Sequence, residues 1–283
     1  MKYSNFKNLF GDLTTDKLRT LFTKAWQLSG AMFIVGQTKF NGVHMKMCNG
    51  ICRTHRKDEE WDFSTIPQFL FPLYEYSKQM PHIKIHLELF SRTVPFEKYV
   101  GAVSVINKTY NPLSEQGDYR IFDVGTPDVR DYLQRLMIPG SAGFKVAPIA
   151  KLNTPKEADE FYEIALKNGE EGVVYRIPPC FYADDNSPHP AIWKRVQLHR
   201  SEGICEAVEE GKGKRKGMLG AMYLRLDDGS CVKVGGGEDM DNELLIKLLA
   251  NPPIGKSVTF SYADTADNGM PLRPQYVSVR DYE

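Results

Sequence analysis

The residues Thr38-Lys39-Phe40-Asn41-Gly42 combine a primary amine with a glycine at a point where the chain should reverse. An apolar run, residues 31–35, precedes them, and an alternating run, residues 43–48, follows. The pattern predicts strand, tight corner, strand, with Gly42 supplying permissive backbone at the turn. An amine at the mouth of two buried strands loses hydration, which favours its neutral, nucleophilic form. Taken alone, the segment fits a solvated turn lysine better, because lysines are mostly exposed. Other residues that could do chemistry lie further on. Glu88 falls on the polar face of an alternating strand, beside Lys84 and His86; a cleft carboxylate and a surface charge cluster fit it equally. Glu171 opens a strand that ends at Arg176, and Lys194 sits in the short run Trp193-Lys194-Arg195-Val196.

The elements that must hold these groups follow from periodicity. Residues 14–30 read as a helix with Leu18, Leu21, Phe22 and Ala25 on one face. Residues 64–79 read as a second helix, with Pro67 in its first turn and Pro72 bending it. In residues 83–90, Ile83, Ile85, Leu87 and Leu89 share one face of a strand. Residues 120–124 form a short strand carrying Phe122 and Asp123, and a helix is expected from Thr126-Pro127 through Leu136. Thr154-Pro155-Lys156-Glu157 is a helix start of the capping-box type, and Asn168-Gly169 a stop.

After about residue 202 the character changes to short strands, at 219–226, 230–234, 258–262 and 276–280. Asp228-Gly229 and Gly235-Gly236-Gly237 join them, and one helix, residues 242–250, interrupts. This composition suggests a five-stranded barrel of the oligonucleotide-binding (OB) type. A flexible basic loop, Lys212-Gly213-Lys214-Arg215-Lys216, precedes its first hairpin. A basic loop on such a barrel suits phosphate-backbone contact.

The chain has 283 residues, enough for two domains, and 36 basic side chains balance 36 acidic ones. That balance argues against a polybasic protein but permits a locally basic nucleic-acid surface. Five cysteines at these spacings lack the paired pattern of a zinc site and read as reduced thiols. No apolar signal core or membrane-length run is present, so a cytoplasmic (or host-cell interior) location is expected.

In order, Lys39-Phe40-Asn41-Gly42, Arg53-Thr54, Glu88-Leu89, Phe122-Asp123-Val124, Glu171-Gly172-Val173-Val174-Tyr175-Arg176 and Trp193-Lys194-Arg195-Val196 resemble the motifs of the ATP-dependent DNA ligases. These belong to the covalent nucleotidyltransferases. Met218-Leu219-Gly220-Ala221, Asp228-Gly229 and the ending Arg273-Pro274-Gln275-Tyr276 are similar to the ligase barrel, so the resemblance covers nearly the whole chain. It implies an α+β fold of two domains: an adenylation (nucleotidyltransferase) domain of antiparallel sheets and helices over 1–201, then an OB-fold barrel over 202–283. A hinge is expected near residues 198–203, with no separate DNA-binding domain ahead of the lysine, as in compact viral and phage ligases.

The resemblance also implies roles. Lys39 would accept AMP from ATP, with Lys194 as the supporting cation, and Glu171 would hold Mg²⁺. Gln37 would lie at the adenine edge, Thr38 would belong to the cofactor site, Phe122 would stack on the adenine, and Glu88 would take the ribose hydroxyls. Arg53 and Arg176 would serve phosphate or ribose, with Arg53 also on the 5′-phosphate of the DNA; Lys212, Lys214, Arg215 and Lys216 would contact the duplex. The implied partner is nicked duplex DNA, bound by a monomer in repair, replication or recombination. Lowering a lysine pKa from ~10.4 by three units takes roughly 4 kcal/mol, and burial and nearby cations push that way.

Four positions depart from the pattern. Asn41 replaces an aspartate, His44 stands for an arginine, and Val196 occupies the place of a second lysine; near the C-terminus Leu272 takes the place of an arginine. The expectation is a slow or specialised ligase. An RNA ligase with the same chemistry, a guanylyltransferase, and a catalytically impaired nick-binding homologue are the alternatives.

Overall fold

The computed structural model describes residues 2–3, 15–54, 60–61, 63–104, 109–128, 130–182, 188–189, 191–236, 240–266 and 268–280. The chain divides into two compact units, Met1–Arg195 and Val196–Glu283.

The first unit begins with β1 (Lys2–Tyr3), α1 (Thr15–Ser29), β2 (Ile34–Lys39), β3 (Val43–Cys48) and β4 (Ile51–Thr54). It continues through α2 (Phe71–Gln79), β5 (Lys84–Phe90), α3 (Phe96–Ser104), β6 (Asp118–Gly125) and α4 (Tyr132–Ser141). It closes with β7 (Ile149–Leu152), α5 (Pro155–Lys167), β8 (Gly172–Arg176), β9 (Pro188–His189) and β10 (Ile192–Val196), whose last residue opens the second unit. Two four-stranded sheets organise it, one in the order β10-β8-β2-β7 and the other β4-β3-β5-β6. β2 and β3 lie in different sheets, so Phe40-Asn41-Gly42 carries the chain from one to the other.

Local chemistry explains the elements. Leu18, Leu21 and Ala25 recur at helical spacing and are fully buried, which docks α1 against α5. Thr154 accepts from the Glu157 backbone N–H at 3.2 Å, and Pro155 occupies the first turn of α5. α5 covers one face of the first sheet: Tyr175 donates to the Ala158 carbonyl at 2.9 Å, and Arg195 pairs with Asp159 at 2.7 Å.

Several sequence expectations need correction. Residues 64–79 are not one helix; two 3₁₀ turns, Phe63–Thr65 and Gln68–Leu70, precede α2, and Pro72 lies in its first turn rather than bending it. The helix expected at Thr126-Pro127 starts at Tyr132, where Asp131 and Gln134 form a reciprocal capping box. His86, assigned to the polar face of β5, is 1% exposed. The acidic stretch Asp58-Glu59 and the basic residues His55 and Arg56 lie outside the described residues, as does Gly237.

The second unit contains β11 (His199–Glu210), β12 (Leu219–Arg225), β13 (Cys231–Gly235), α6 (Asn242–Ala250), β14 (Ser257–Tyr262), β15 (Asp264–Thr265), β16 (Pro271–Leu272) and β17 (Gln275–Val279). β11, β12, β13, β17 and β14 close into a barrel in that order, with β13 and β17 parallel. Its interior is Cys205, Met222, Leu224, Val234, Val258 and Phe260, joined by Leu245 and Leu248 of α6. The long β11 is absent from the expected strands. Two bulges, at Cys205/Ala207 and Glu209/Glu210, break its alternation, which hid it. Residues 199–203 pair with β14, so the expected hinge segment is ladder from His199 onward. In the basic loop Gly213–Arg215 forms a 3₁₀ turn, and the Gly217 N–H donates to Glu210 at 2.6 Å.

Candidate active site

Lys39 ends β2, and the ladder brings Glu171 to it. Lys39 pairs with Gly172 across β2 and β8, and the Glu171 N–H donates to the Lys39 carbonyl at 3.1 Å. Gly172 adopts φ 151°, open to glycine, where the chain turns from Glu171 into β8. The two side chains then meet in an ion pair, Lys39 Nζ to Glu171 Oε2, with each less than a fifth exposed. The opposing sheet supplies Glu88, which sits between His44 of β3 and Arg120 of β6 in the ladder. Burial pushes the Glu88 carboxyl up to about 8; Lys39 draws it down, Glu171 repels it, and the Gly42 N–H donates to it. One amine therefore faces two carboxylates, of which Glu88 keeps its proton near neutral pH.

The nearest charge to Lys39 is Glu171, and the amine must leave that carboxylate before its lone pair can attack. Gly42 is needed for close approach rather than for an unusual turn. A Cβ on it would lie 2.1 Å from the Leu89 carbonyl oxygen and 3.0 Å from Glu88 Cγ.

The first sheet has two distinct faces. A Cβ on Gly36 would strike Phe161 of α5, so Gly36 and Thr38 face the helix while Gln37 and Lys39 face away. Thr38 consequently lines a cavity of about 400 Å³ with Phe40, Arg92, Arg120, Phe161 and Glu170, and only its backbone lies on the Lys39 side. In β10, Arg195 reaches Asp159 on the helix side, and its guanidinium lies over the Tyr162 ring. Alternation therefore turns Lys194, half-buried, toward the face that carries Lys39, two strands away. Val196, in place of the second lysine, is buried.

Phe122 is the extra residue of a β-bulge: His86 pairs with Asp123 and Leu87 with Ile121. Its ring meets His44 edge-on at 4.9 Å and packs against the stacked Phe40–Phe90 pair. His44 Nε2 and His86 Nδ1 share a proton across 3.0 Å, and His86 Nε2 meets the Tyr182 hydroxyl at 2.7 Å.

Gln37 and Arg176 are not open to the cleft. Arg176 is 2% exposed and is bonded to Gln37 Oε1 at 3.2 Å and to Asp123 at 3.5 Å. Asp123 in turn accepts from Nε and Nη2 of the fully buried Arg135, at 3.1 and 3.2 Å. Arg53 lies one row along the second sheet, opposite Lys46, and pairs with Glu60 at 2.5 Å. In the barrel unit, Lys212, Lys214, Arg215 and Lys216 are all exposed. Among the described residues no group of three acidic, histidine or cysteine side chains makes a metal cage, and the five cysteines are free. Sequence reasoning missed Tyr132, Arg135, His86 and Tyr182. Of these only His86 carried a signal, its place beside Glu88 in an alternating strand.

Comparison with known proteins follows from this geometry. Residues 210–280 match the family described as the DNA ligase OB-like domain. A Lig E DNA ligase structure, described as DNA binding with a minimal scaffold, superposes with a TM-score of 0.66, covering 88% of this chain and 93% of that one at 22% identity. This is the fold of a DNA ligase. Over 203 residues the chain is 25% identical to a DNA ligase of Methanocorpusculum labreanum, covering 64% of this chain and 36% of the relative. It is also 31% identical over 114 residues to a probable DNA ligase of Beutenbergia cavernae, covering 38% and 22% respectively. The chain thus spans about a third or less of the curated relatives it matches. On the ligase fold, Lys39, Glu88 and Glu171 occupy the facing surfaces of the two sheets.

Proposed function

We propose that the chain is an ATP-dependent DNA ligase that seals nicks through a lysyl-AMP intermediate. The observation that carries this is the meeting of Lys39, Glu171 and Glu88, from β2, the start of β8 and β5, beside the half-buried ring of Phe122. In this scheme Lys39 Nζ attacks the α-phosphorus of ATP, forming a P–N bond while the bond to pyrophosphate breaks. AMP then passes to the 5′-phosphate at the nick, and the 3′-hydroxyl displaces it.

Glu171 suits Mg²⁺, which takes one or two carboxylates and completes its shell with phosphate oxygens and water. Bound there, the ion would supply positive charge at the phosphate oxygens. The chain's own groups do the rest. Glu171 holds the amine until it is released, Glu88 presents its carboxyl to the ribose side, and Lys194 adds charge from the same face. Phe122 offers a ring to the base. Arg53 and the basic residues 212, 214, 215 and 216 are assigned to phosphates of nicked duplex DNA. We place the protein inside the cell, acting as a monomer; no helix among the described residues is long and apolar enough to cross a membrane.

A nick-binding scaffold without turnover is the second reading, favoured by the buried Val196 in place of a lysine and by the commitment of Arg195 to Asp159. Nicked duplexes with DNA or RNA on the broken strand, incubated with ATP and Mg²⁺, separate these readings. Sealing of the DNA nick that Lys39→Ala abolishes supports the proposal. Preference for RNA moves it to RNA ligation. Retained nick binding without sealing, unchanged in Lys39→Ala, leaves the scaffold.

A further inference from the structure

Phe122 is left without a partner in the β5–β6 register, and its carbonyl takes donors from other elements. Three elements supply them. Gln37 Nε2 of β2 donates at 3.0 Å, Tyr132 Oη of α4 at 3.2 Å, and Arg176 Nη2 of β8 at 3.5 Å. The donors also brace one another. Arg176 Nη2 donates to Gln37 Oε1 at 3.2 Å, and its guanidinium lies 4.1 Å above the Tyr132 ring. Behind them Asp123 takes Arg135 on both carboxylate oxygens, and Arg135 also donates to the carbonyls of Arg130 and Cys180 at 2.7 Å each.

The amide of Gln37 has no choice of orientation. Arg176 is a donor only, so it must face Oε1; the Phe122 carbonyl is an acceptor only, so it must face Nε2. One N–H of Nε2 and one lone pair of Oε1 are used inside the protein, and the side chain is 1% exposed. A side chain so buried and so bonded faces the protein rather than the edge of a base.

We infer that Gln37, Tyr132 and Arg176 are positioning residues, a three-donor clamp on the Phe122 carbonyl that fixes the stacking ring. The inference rests on the proposed nucleotide chemistry and revises one part of it. Gln37 acts on the base through Phe122, not by contacting it. The ring is exposed enough to stack, yet its own backbone is what the clamp holds, so loosening the clamp should cost nucleotide affinity before it costs chemistry.

The test is the rate of lysyl-adenylate formation against nucleotide concentration, for wild type, Tyr132→Phe and Gln37→Leu, using ATP and inosine triphosphate. Tyr132→Phe keeps the ring under Arg176 and removes one donor, so half-saturation for ATP should rise about fivefold, the worth of one hydrogen bond, with the maximum rate within about twofold of wild type. Gln37→Leu should raise half-saturation for both nucleotides by the same factor, leaving the preference between them unchanged. A base-reading Gln37 would instead lose the preference for ATP over the 6-oxo nucleotide, and that result overturns the clamp. So does an unchanged half-saturation in Tyr132→Phe, or a fall in maximum rate alone. If the wild-type protein forms no adenylate, the nucleotidyl-transfer reading fails and the clamp falls with it; if it does and the variants behave as wild type, only the clamp fails.

Discussion

The two units bury opposite kinds of chemistry. The barrel unit is apolar inside apart from Thr259 and Ser261, and its ion pairs, Glu209–Lys233, Glu206–Arg225 and Glu202–Arg280, run across the outer surface. The first unit buries Asp123, Arg135, Arg176, Gln37 and His86 between its strands and α4. Desolvating charge is expensive, and an apolar replacement of equal shape is often as stable. The difference teaches where geometry is being held at a cost in desolvation. In the first unit the buried charges end on the Phe122 backbone; in the barrel, charge is left where a phosphate backbone could reach it.

Replacing one partner of the buried set should have the largest effect. Arg135→Met leaves Asp123 with the Val124 backbone N–H at 2.8 Å and the 3.5 Å contact to Arg176, and about 3–5 kcal/mol of stability should be lost in urea denaturation. A loss below about 1 kcal/mol would mean that the buried charges are not coupled as described. Gly42→Ala comes next. Its Cβ cannot sit 2.1 Å from the Leu89 oxygen without moving the corner, so overpacking should cost about 1–3 kcal/mol and slow adenylate formation. Wild-type rates in that variant would show that the corner tolerates displacement.

Glu88 gives a pH signature in the first unit. Its pKa rises from 4.5 to about 8 on folding, mainly through burial. Between those values the folded protein keeps a proton that the unfolded chain releases, so stability should fall as pH rises from 4.5 to 8. Glu88→Gln should flatten that slope; an unchanged slope would assign it to other groups. The smallest effect belongs to the barrel. Lys233→Met breaks a solvent-exposed pair and should leave the denaturation midpoint where it was. A clear shift would erase the contrast between the two units.

Much of this arrangement was legible before any coordinates. Lys39, Glu88, Phe122 and Glu171 stand at spacings that strands and a corner make intelligible, and the α6 bounds follow from its period alone. Other parts left no trace that periodicity can read. Arg135 looks like an outward helix residue, because nothing local says that an aspartate twelve positions earlier waits beneath it. β11 hid behind its bulges, and Pro127 drew attention from the capping box at Asp131 that starts α4. The pairing of Lys39 with Glu171 is tertiary: it depends on β2 lying beside β8.

Mass spectrometry of the purified protein after incubation with ATP and Mg²⁺, with peptide mapping, tests the central claim most directly. An AMP adduct confined to Lys39, removed by pyrophosphate, is the predicted result. No adduct, or one on another side chain, would contradict it.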